Sequence, residues 1–209
     1  MASEGNGLRT GLLVDWGGVL TTNLFASFGE FCTEAGLSPD VLVEAFRSNR
    51  AFRDTLIAFE EGRIEEAVFE QRFGALLGVD HVGLIDRLFA RVGPDMAMLA
   101  AVRNARAAGI RTGLISNSWG RRRYDRALLE ELFDGVVISG EEGMRKPAPE
   151  IYVLGAQRAG VAPEACVYVD DLPFNLPPAE QLGMATVHHI DTAATIAEVE
   201  RLLGISLGG

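Results

Sequence analysis

Acidic, hydroxyl and amide side chains follow three short apolar runs of this sequence. Asp15 ends the first run, the pair Ser116-Asn117 ends the second, and the pair Asp170-Asp171 ends the third. Ligands of open parallel sheets bind outside the carboxyl ends of the strands. If the three runs are strands of one such sheet, we expect these side chains to meet at its carboxyl edge.

Carboxylates gathered at one edge would repel one another, so at least one would be forced to take up a proton. A hard divalent cation removes this conflict, and Mg²⁺ is typically held by one or two carboxylates together with phosphate and water oxygens. Lys146 lies in a loop before a predicted helix and can add a compact positive charge to the same crevice. A carboxylate nucleophile, a hydroxyl donor, a lysine and a cation together suit phosphoryl transfer.

The apolar runs do not alternate with polar residues, which is typical of strands covered on both faces of a parallel sheet. Helical patterns lie between them and end at Gly109, Gly160 and Gly204, residues suited to the left-handed conformation that follows a helix. We therefore predict an α/β fold, a Rossmann-like parallel sheet with helices on both faces.

The segment 21–93 differs from the rest because it contains helical patterns only. Ser38 and Pro39 are predicted to start one of its helices, as the N-cap and the first helical residue. We predict a core made of residues 1–20 and 94–209, with a small helical cap, residues 21–93, inserted after the first strand. Such an insertion would lie above the carboxyl end of that strand.

Composition narrows the classes of partner. The 209 residues include 19 Lys and Arg against 29 Asp and Glu, a formal charge of −10, so phosphate backbones repel the chain and we expect no nucleic acid partner. No stretch approaches the ~20 apolar residues of a membrane span, and residues 1–7 lack the features of a secretory signal. Two cysteines form no disulfide framework. We expect a cytoplasmic protein without a membrane partner; its oligomeric state stays open.

Four motifs occur in a familiar order, in residues 13–20, 114–119, 145–152 and 168–171, the last followed by Asn175. With these motifs the chain resembles the haloacid dehalogenase-like hydrolases over nearly its whole length. Within that superfamily it is similar to the branch with a small helical cap, which includes the phosphatase domain of soluble epoxide hydrolase. The resemblance implies hydrolysis of a small phosphorylated metabolite.

The resemblance also implies roles for particular residues. Asp15 would be the nucleophile and form an aspartyl-phosphate. Ser116 and the backbone of Asn117 would bind the oxygens of the transferring phosphoryl group, and Lys146 would steady both the nucleophile and the phosphate charge.

A Mg²⁺ cofactor is implied in the same way. Asp15, Asp171 and the backbone carbonyl of Gly17 would be its ligands, and Asp170 would contribute directly or through water.

Gly17 departs from the family pattern, because phosphatases of this family usually have a second aspartate there that acts as acid and base. Such help is worth ~10²–10⁴-fold in rate. Three hypotheses therefore stay open: a Mg²⁺-dependent phosphatase that is slow or draws an acid from the cap, a metal-independent 2-haloacid dehalogenase, and a non-catalytic phosphate-binding module.

Other charged and titratable residues have ordinary explanations. His188 and His189 are adjacent on a predicted strand, so they point to opposite faces and cannot easily hold one ion. The cap arginines, Arg47, Arg50 and Arg53, and the run at 121–123 could select an anionic substrate, but a solvated surface explains them equally well.

Overall fold

The structure is a computed structural model that describes residues 9–208, apart from the side chain of Arg121. Residues 1–7, for which no secretory signal is predicted, lie outside the described part. Five strands, each parallel to its neighbours, form one sheet: β1 (Gly11–Val14), β2 (Arg111–Ser116), β3 (Gly135–Ile138), β4 (Cys166–Asp170) and β5 (Ala185–His188). Their order is β3-β2-β1-β4-β5, so β1 lies in the middle, between β2 and β4.

Helices surround this sheet and also fill the segment after its first strand. They are α1 (Leu24–Glu34), α2 (Val41–Ser48), α3 (Arg50–Glu60), α4 (Glu66–Leu77), α5 (Leu84–Leu88), α6 (Met96–Ala107), α7 (Arg126–Leu132), α8 (Ser139–Glu142), α9 (Pro149–Ala159), α10 (Leu176–Gln181) and α11 (Thr192–Leu203).

Alternate residues of the central strands pack to opposite faces of the sheet. Leu12 and Val14 join a hydrophobic cluster with side chains of α6, α7 and α11, whereas Leu13 joins a second cluster with side chains of α9 and α10. Both faces of the sheet are therefore buried, which is why the apolar runs of the sequence lack alternation. The predicted α/β fold with helices on both faces is confirmed.

Helices α1–α5 build a third hydrophobic cluster, rich in phenylalanine. The ends of this segment are tied together by an antiparallel bridge between Thr21 and Pro94, and the backbone N–H of Thr22 donates to the Gly93 carbonyl at 2.8 Å. Trp119, just after β2, packs its ring against Phe28 and Phe89 of this cluster. We propose that residues 21–93 are the cap of the fold and that Trp119 seats it on the core.

The predicted start of one helix of this segment lies two residues before the observed one. Helix α2 begins at Val41, and Asp40 before it makes no capping bond with its side chain. Ser38 and Pro39 lie in the turn that leads into α2, where the Ser38 hydroxyl accepts from the Asp40 N–H at 3.4 Å and the Val41 N–H donates to the Ser38 carbonyl at 3.1 Å. Turn residues and N-cap residues have similar compositions, so the pattern located the chain reversal but not the helix boundary. Within residues 9–208 there is also no helix with the length and apolar character needed to cross a bilayer.

Candidate active site

The carboxyl edge of the sheet brings together the acidic residues that the strand ends predicted. One carboxylate oxygen from each of Asp15, Asp170 and Asp171 lies within 4.8 Å of the other two. Asp15 follows the central strand β1, and both aspartates of the pair come from the end of its neighbour β4. Asp15 and Asp170 are buried, while Asp171 is partly exposed. Residues separated by most of the chain therefore form one acidic crevice.

Lys146, the one lysine of the sequence, lies in this crevice. Its Nζ is 2.8 Å from Asp15 Oδ1 and 2.7 Å from Asp170 Oδ2, and the side chain is almost fully buried. Burial opposes the charged ammonium, but the carboxylates of Asp15 and Asp170 outweigh it and raise the pKa of Lys146 above its usual range. Lys146 therefore brings a fixed positive charge to Asp15.

The carboxylate of Asp170 is saturated by protein donors. Its Oδ1 accepts from the Leu172 N–H at 2.9 Å and from Asn175 Nδ2 at 3.0 Å, while its Oδ2 accepts from Lys146 and from the Tyr168 hydroxyl. An ionised carboxylate has about four lone-pair sites, and all of those of Asp170 are used. Asp170 therefore positions Lys146, which leaves Asp15 and Asp171 to offer oxygens to a ligand.

Asn117 fixes the backbone of the lysine loop. Its side-chain Oδ1 accepts from the Lys146 N–H at 2.9 Å and its Nδ2 donates to the Lys146 carbonyl at 3.2 Å. The side chain of Asn117 is thus committed to Lys146, and its backbone is the part left for a phosphoryl group. Ser116 ends β2 beside β1, and its hydroxyl lies 2.9 Å from the hydroxyl of buried Tyr124.

The electrostatics of the crevice fit a divalent cation. Burial is the main reason that the pKa of Asp15 rises to about 8; Asp170 and Asp171 raise it further and Lys146 opposes the rise. Burial, followed by the charge of Asp170, raises the pKa of Asp171 to about 6. The crevice therefore has too little positive charge to keep both carboxylates ionised. A hard divalent cation would supply the missing positive charge. The carboxylates of Asp15 and Asp171 fit the oxygen ligands that Mg²⁺ prefers.

Two glycines shape the loop after Asp15. Gly18 has φ of +78°, and a Cβ at this position would lie 2.3 Å from Asp171 Oδ2, so the carboxylate packs where a side chain would be. At Gly17 a Cβ would lie 2.8 Å from Cδ1 of Leu24, the first residue of α1. The space that an aspartate would enter at position 17 is therefore partly filled by the proposed cap.

Glu60 is a functional candidate that sequence reasoning missed. It ends α3, its side chain is 5% exposed, and it forms an ion pair with Arg145, the residue before Lys146. Burial raises the pKa of Glu60, although Arg145 and Lys146 oppose this rise. Glu60 carries no motif, and its place beside the third motif arises only when the helices pack on the core. Tyr124 also carries no motif, and Tyr168 lies in the fourth motif but gives no sequence signal that its hydroxyl donates to Asp170.

A cavity of about 1060 Å³ extends from the acidic crevice to helices α1–α3. We call its charged end the polar floor, made of Asp15, Asn117, Lys146 and Asp171 together with Asp170, which bonds Lys146 but does not itself line the cavity. We call the opposite side the apolar wall, which includes Leu24, Phe28, Ile57, Phe89 and Val92. Ser116, Gly17 and Glu60 also line the cavity.

The remaining candidates lie less centrally. Arg47 and Arg53 line the cavity, but Arg50 is exposed and pairs with Asp54 at 3.3 Å. His188 Nε2 lies 3.0 Å from the Asp171 carbonyl, whereas the half-buried His189 makes no such contact within the described residues. The two histidines thus share no common ligand position, as their adjacency on a strand indicates.

Comparisons with known proteins find relatives over most of the chain. Residues 10–183 match the family described as haloacid dehalogenase-like hydrolase. The pig bifunctional epoxide hydrolase 2 is 32% identical over 131 residues, 59% of this chain and 24% of that protein. The chain therefore spans about a quarter of that relative's length. The sesquiterpene phosphatase astK of Aspergillus oryzae is 27% identical over 157 residues, 72% of this chain and 80% of that protein.

Solved structures share the fold. A HAD family enzyme of Bacteroides thetaiotaomicron, crystallised as an alanine variant with magnesium and inorganic phosphate, superposes with a TM-score of 0.66 at 23% identity. The alignment covers 88% of this chain and 95% of that one. A dehalogenase structure superposes with a TM-score of 0.63 at 20% identity, covering 90% of this chain and 86% of that one.

Proposed function

The chain belongs to the haloacid dehalogenase-like hydrolase family, and we propose that it is a Mg²⁺-dependent phosphatase acting on a small phosphorylated molecule through an aspartyl-phosphate at Asp15. The observation that carries the proposal is the convergence of Asp15 and Asp171 in one buried crevice, with the Lys146 ammonium 2.8 Å from Asp15. Without a metal, as in the dehalogenase hypothesis, the repulsion between the carboxylates of this crevice would stay uncompensated. The relatives named as phosphatases support the same reaction class.

In the proposed reaction, a carboxylate oxygen of Asp15 attacks phosphorus and the bond between phosphorus and the leaving oxygen breaks. A water molecule then attacks the phosphoryl group of the aspartyl-phosphate, which releases phosphate and restores Asp15. Lys146 neutralises negative charge on the nucleophile and on the phosphoryl oxygens, and Ser116 with the Asn117 backbone orients these oxygens. Asp170 keeps Lys146 in place, and because its oxygens already accept four hydrogen bonds, it leaves the metal to Asp15 and Asp171.

Asp15, Asp171 and the Gly17 carbonyl are the residues we propose to hold Mg²⁺. When bound, the cation supplies Lewis-acid stabilisation of the phosphoryl oxygens. The raised pKa of Asp15 in the metal-free protein supports this assignment, because the crevice lacks the charge that would ionise its carboxylates.

The leaving oxygen needs a proton that Gly17 cannot supply. Among the described carboxyl groups that line the cavity, Asp15, Asp171 and Glu60, only Glu60 comes from the proposed cap. Burial shifts the pKa of Glu60 in the direction that a general acid needs, although Arg145 and Lys146 oppose this shift. We therefore propose that Glu60 donates the proton to the leaving oxygen in place of the missing aspartate, and takes a proton back from the water that attacks the aspartyl-phosphate.

Phosphate release from p-nitrophenyl phosphate, with and without Mg²⁺, tests the function. We expect turnover that depends on Mg²⁺, and we expect Asp15→Asn to lower it on the order of 10⁴-fold or more, because no nucleophile remains. Asp54→Asn, an exposed acid outside the cavity, is the matched control. Equal rates for Asp15→Asn and the unmodified protein would remove Asp15 from the mechanism.

The same assays separate the other two hypotheses. Chloride release from 2-chloropropionate without Mg²⁺ would identify a dehalogenase. Binding of Mg²⁺ with beryllofluoride, but no turnover of any substrate in a broad panel, would identify a non-catalytic phosphate-binding module.

A further inference from the structure

The apolar wall is far larger than a phosphoryl group needs. Beyond the polar floor, the cavity is lined by aliphatic and aromatic side chains from the proposed cap and from the loops below it: Leu20, Leu24, Phe25, Leu56, Phe89 and Leu172 are examples. In a site of this kind the phosphoryl group occupies one end. The rest of the cavity of about 1060 Å³ is left for the alcohol portion of the substrate.

Several polar side chains beyond the floor are engaged with protein partners, whereas the buried Asn175 Oδ1 accepts no hydrogen bond within the described residues. Thr21 Oγ1 accepts from the Gly18 N–H and donates to the Thr22 carbonyl. Arg122 pairs with Glu66 at 2.7 Å, and Arg123 pairs with Asp86.

Arg53 and Arg145 are engaged in the same way. Arg53 donates to the Arg47 carbonyl at 2.8 Å, and Arg145 pairs with Glu60. Arg47 also lines the cavity and is exposed. Among these arginines and Thr21, it is the one whose side chain makes no hydrogen bond or ion pair within the described residues. A sugar would have to give up water along the aliphatic and aromatic lining, which offers its hydroxyl groups no partner, and unpaired polar groups are costly to bury.

Several apolar residues of the cavity also lack a packing role. Val43, Ile57 and Val92 line it but belong to none of the described hydrophobic clusters. Phe174, three residues after Asp171, lines it as well and is 55% exposed. Each of these side chains would lose contact with water if an apolar group filled the cavity, and this burial favours binding.

We infer that the substrate is the phosphate monoester of an apolar alcohol, with a hydrocarbon chain that lies along the apolar wall. This inference rests on the phosphatase function proposed above. A polar sugar or triose phosphate would place its hydroxyl groups against the same wall without partners, so it is expected to be a poor substrate.

A series of straight-chain alkyl phosphates, from ethyl to octyl phosphate, tests the inference alongside glucose 6-phosphate and fructose 1-phosphate. Each methylene group that becomes fully buried is expected to raise kcat/KM about fourfold. Because the chain keeps part of its exposure, we expect about a 100-fold rise from ethyl to octyl phosphate. The sugar phosphates should fall below hexyl phosphate.

A matched pair of variants tests whether the dependence of kcat/KM on chain length arises at the apolar wall. Val92→Asn places an amide in the apolar wall, and we expect it to lower the ratio of kcat/KM for octyl phosphate to that for ethyl phosphate about tenfold. Val82→Asn makes the same change at a site that is 69% exposed and does not line the cavity, so it should leave this ratio unchanged.

The outcomes for the substrate class and for the reaction are distinguishable. If p-nitrophenyl phosphate is hydrolysed but chain length has no effect, or the sugar phosphates are fastest, the substrate class is wrong and the phosphatase function stands. If no ester is hydrolysed, calorimetric binding of ethyl and octyl phosphate to Asp15→Asn still decides the point. Equal affinities for the two esters would overturn the inference, and tighter binding of octyl phosphate would support it.

Discussion

The polar floor and the apolar wall face the same cavity but are built in opposite ways. In the floor, Lys146, Asp170 and Asn117 are fixed by hydrogen bonds between groups that the chain itself supplies. In the wall, Leu24, Phe28 and Phe89 also pack in the phenylalanine-rich cluster, whereas Ile57 and Val92 line the cavity without belonging to a hydrophobic cluster. A fixed array of charges suits chemistry at one atom, because preorganised groups need no rearrangement in the transition state. An apolar surface suits selection among substrates, because each substrate gains free energy in proportion to the apolar area that it buries there.

This difference has a consequence for mutations. A change in the floor should lower turnover of every substrate and also disturb the free energy of unfolding, because buried charges lose their partners. A change in the wall should alter the preference among substrates and leave the chemistry intact. Four variants or conditions test this division, in order of expected effect.

Lys146→Met should have the largest effect. It leaves Asp15 and Asp170 buried without their cation, and breaking a buried ion pair from one side costs ~3–5 kcal/mol of unfolding free energy. Loss of a charge at the phosphoryl group should also lower kcat about 10²–10³-fold. Chemical denaturation without Mg²⁺ and phosphate-release assays measure the two effects. Arg50→Met, at a side chain that is 87% exposed, is the control. If both variants lost similar amounts of unfolding free energy and kcat, Lys146 would not be an essential part of the polar floor.

Glu60→Gln should follow, with an effect that depends on the leaving group. Removal of a proton donor is expected to lower kcat about 10²-fold for alkyl phosphates. The loss should be small for p-nitrophenyl phosphate, whose leaving group needs no proton. The fall of activity at high pH, which reports ionisation of the proton donor, should disappear in Glu60→Gln.

Glu61→Gln, next in the chain and paired with Arg63, is the control for Glu60→Gln. If Glu60→Gln slowed both kinds of ester equally, Glu60 would be a residue that positions Arg145 and not the acid.

Gly18→Ala should weaken Mg²⁺ binding. The methyl group would lie 2.3 Å from Asp171 Oδ2 in the present geometry, so the carboxylate must move away. We expect the Mg²⁺ concentration for half-maximal activity to rise about tenfold, as disturbances around metal ligands often cause. Gly36→Ala is a close control, because Gly36 also has a positive φ, +75°, but a Cβ there meets no atom within 4 Å. If both variants shift the Mg²⁺ dependence equally, backbone strain is responsible and contact with Asp171 is not.

The pH dependence of stability is the last test, and it measures the free energy of unfolding and not turnover. In the metal-free protein, burial above all raises the pKa of Asp15 from 3.8 to about 8, so the folded state holds a proton that the unfolded state releases near pH 4. The folded state binds more protons in this window, and the free energy of unfolding should therefore fall as the pH rises from about 4 to about 8. The increase in Tm on adding Mg²⁺ should grow over the same range. Asp15→Asn should reduce both the fall of the unfolding free energy with pH and the pH dependence of the Mg²⁺ effect on Tm. If neither changes in this variant, the carboxyl group of Asp15 is not their cause.

Much of the architecture could be predicted because its signals are local. The strands of the core are short apolar runs, each followed by a polar residue, and the pairing of β1 with β2 and β4 makes Asp15, Ser116 and Asp170 neighbours. Lys146 was expected in the same crevice because it precedes a helix of the core. The start of α2 was not predicted correctly, since Ser38 and Pro39 have the composition of a turn as well as that of a helix start.

The amino-acid sequence by itself determined the α/β class, the order of the motifs and the acidic and basic groups of the candidate site, because periodicity and strand ends depend on neighbouring residues. The tertiary structure decided what no neighbouring residues encode. It places the Lys146 ammonium between Asp15 and Asp170, Glu60 beside Arg145, and Leu24 against Gly17. These contacts join separate elements of the fold, and those of Glu60 and Leu24 form only when α3 and α1 pack on the core, where burial makes each unpartnered polar group costly.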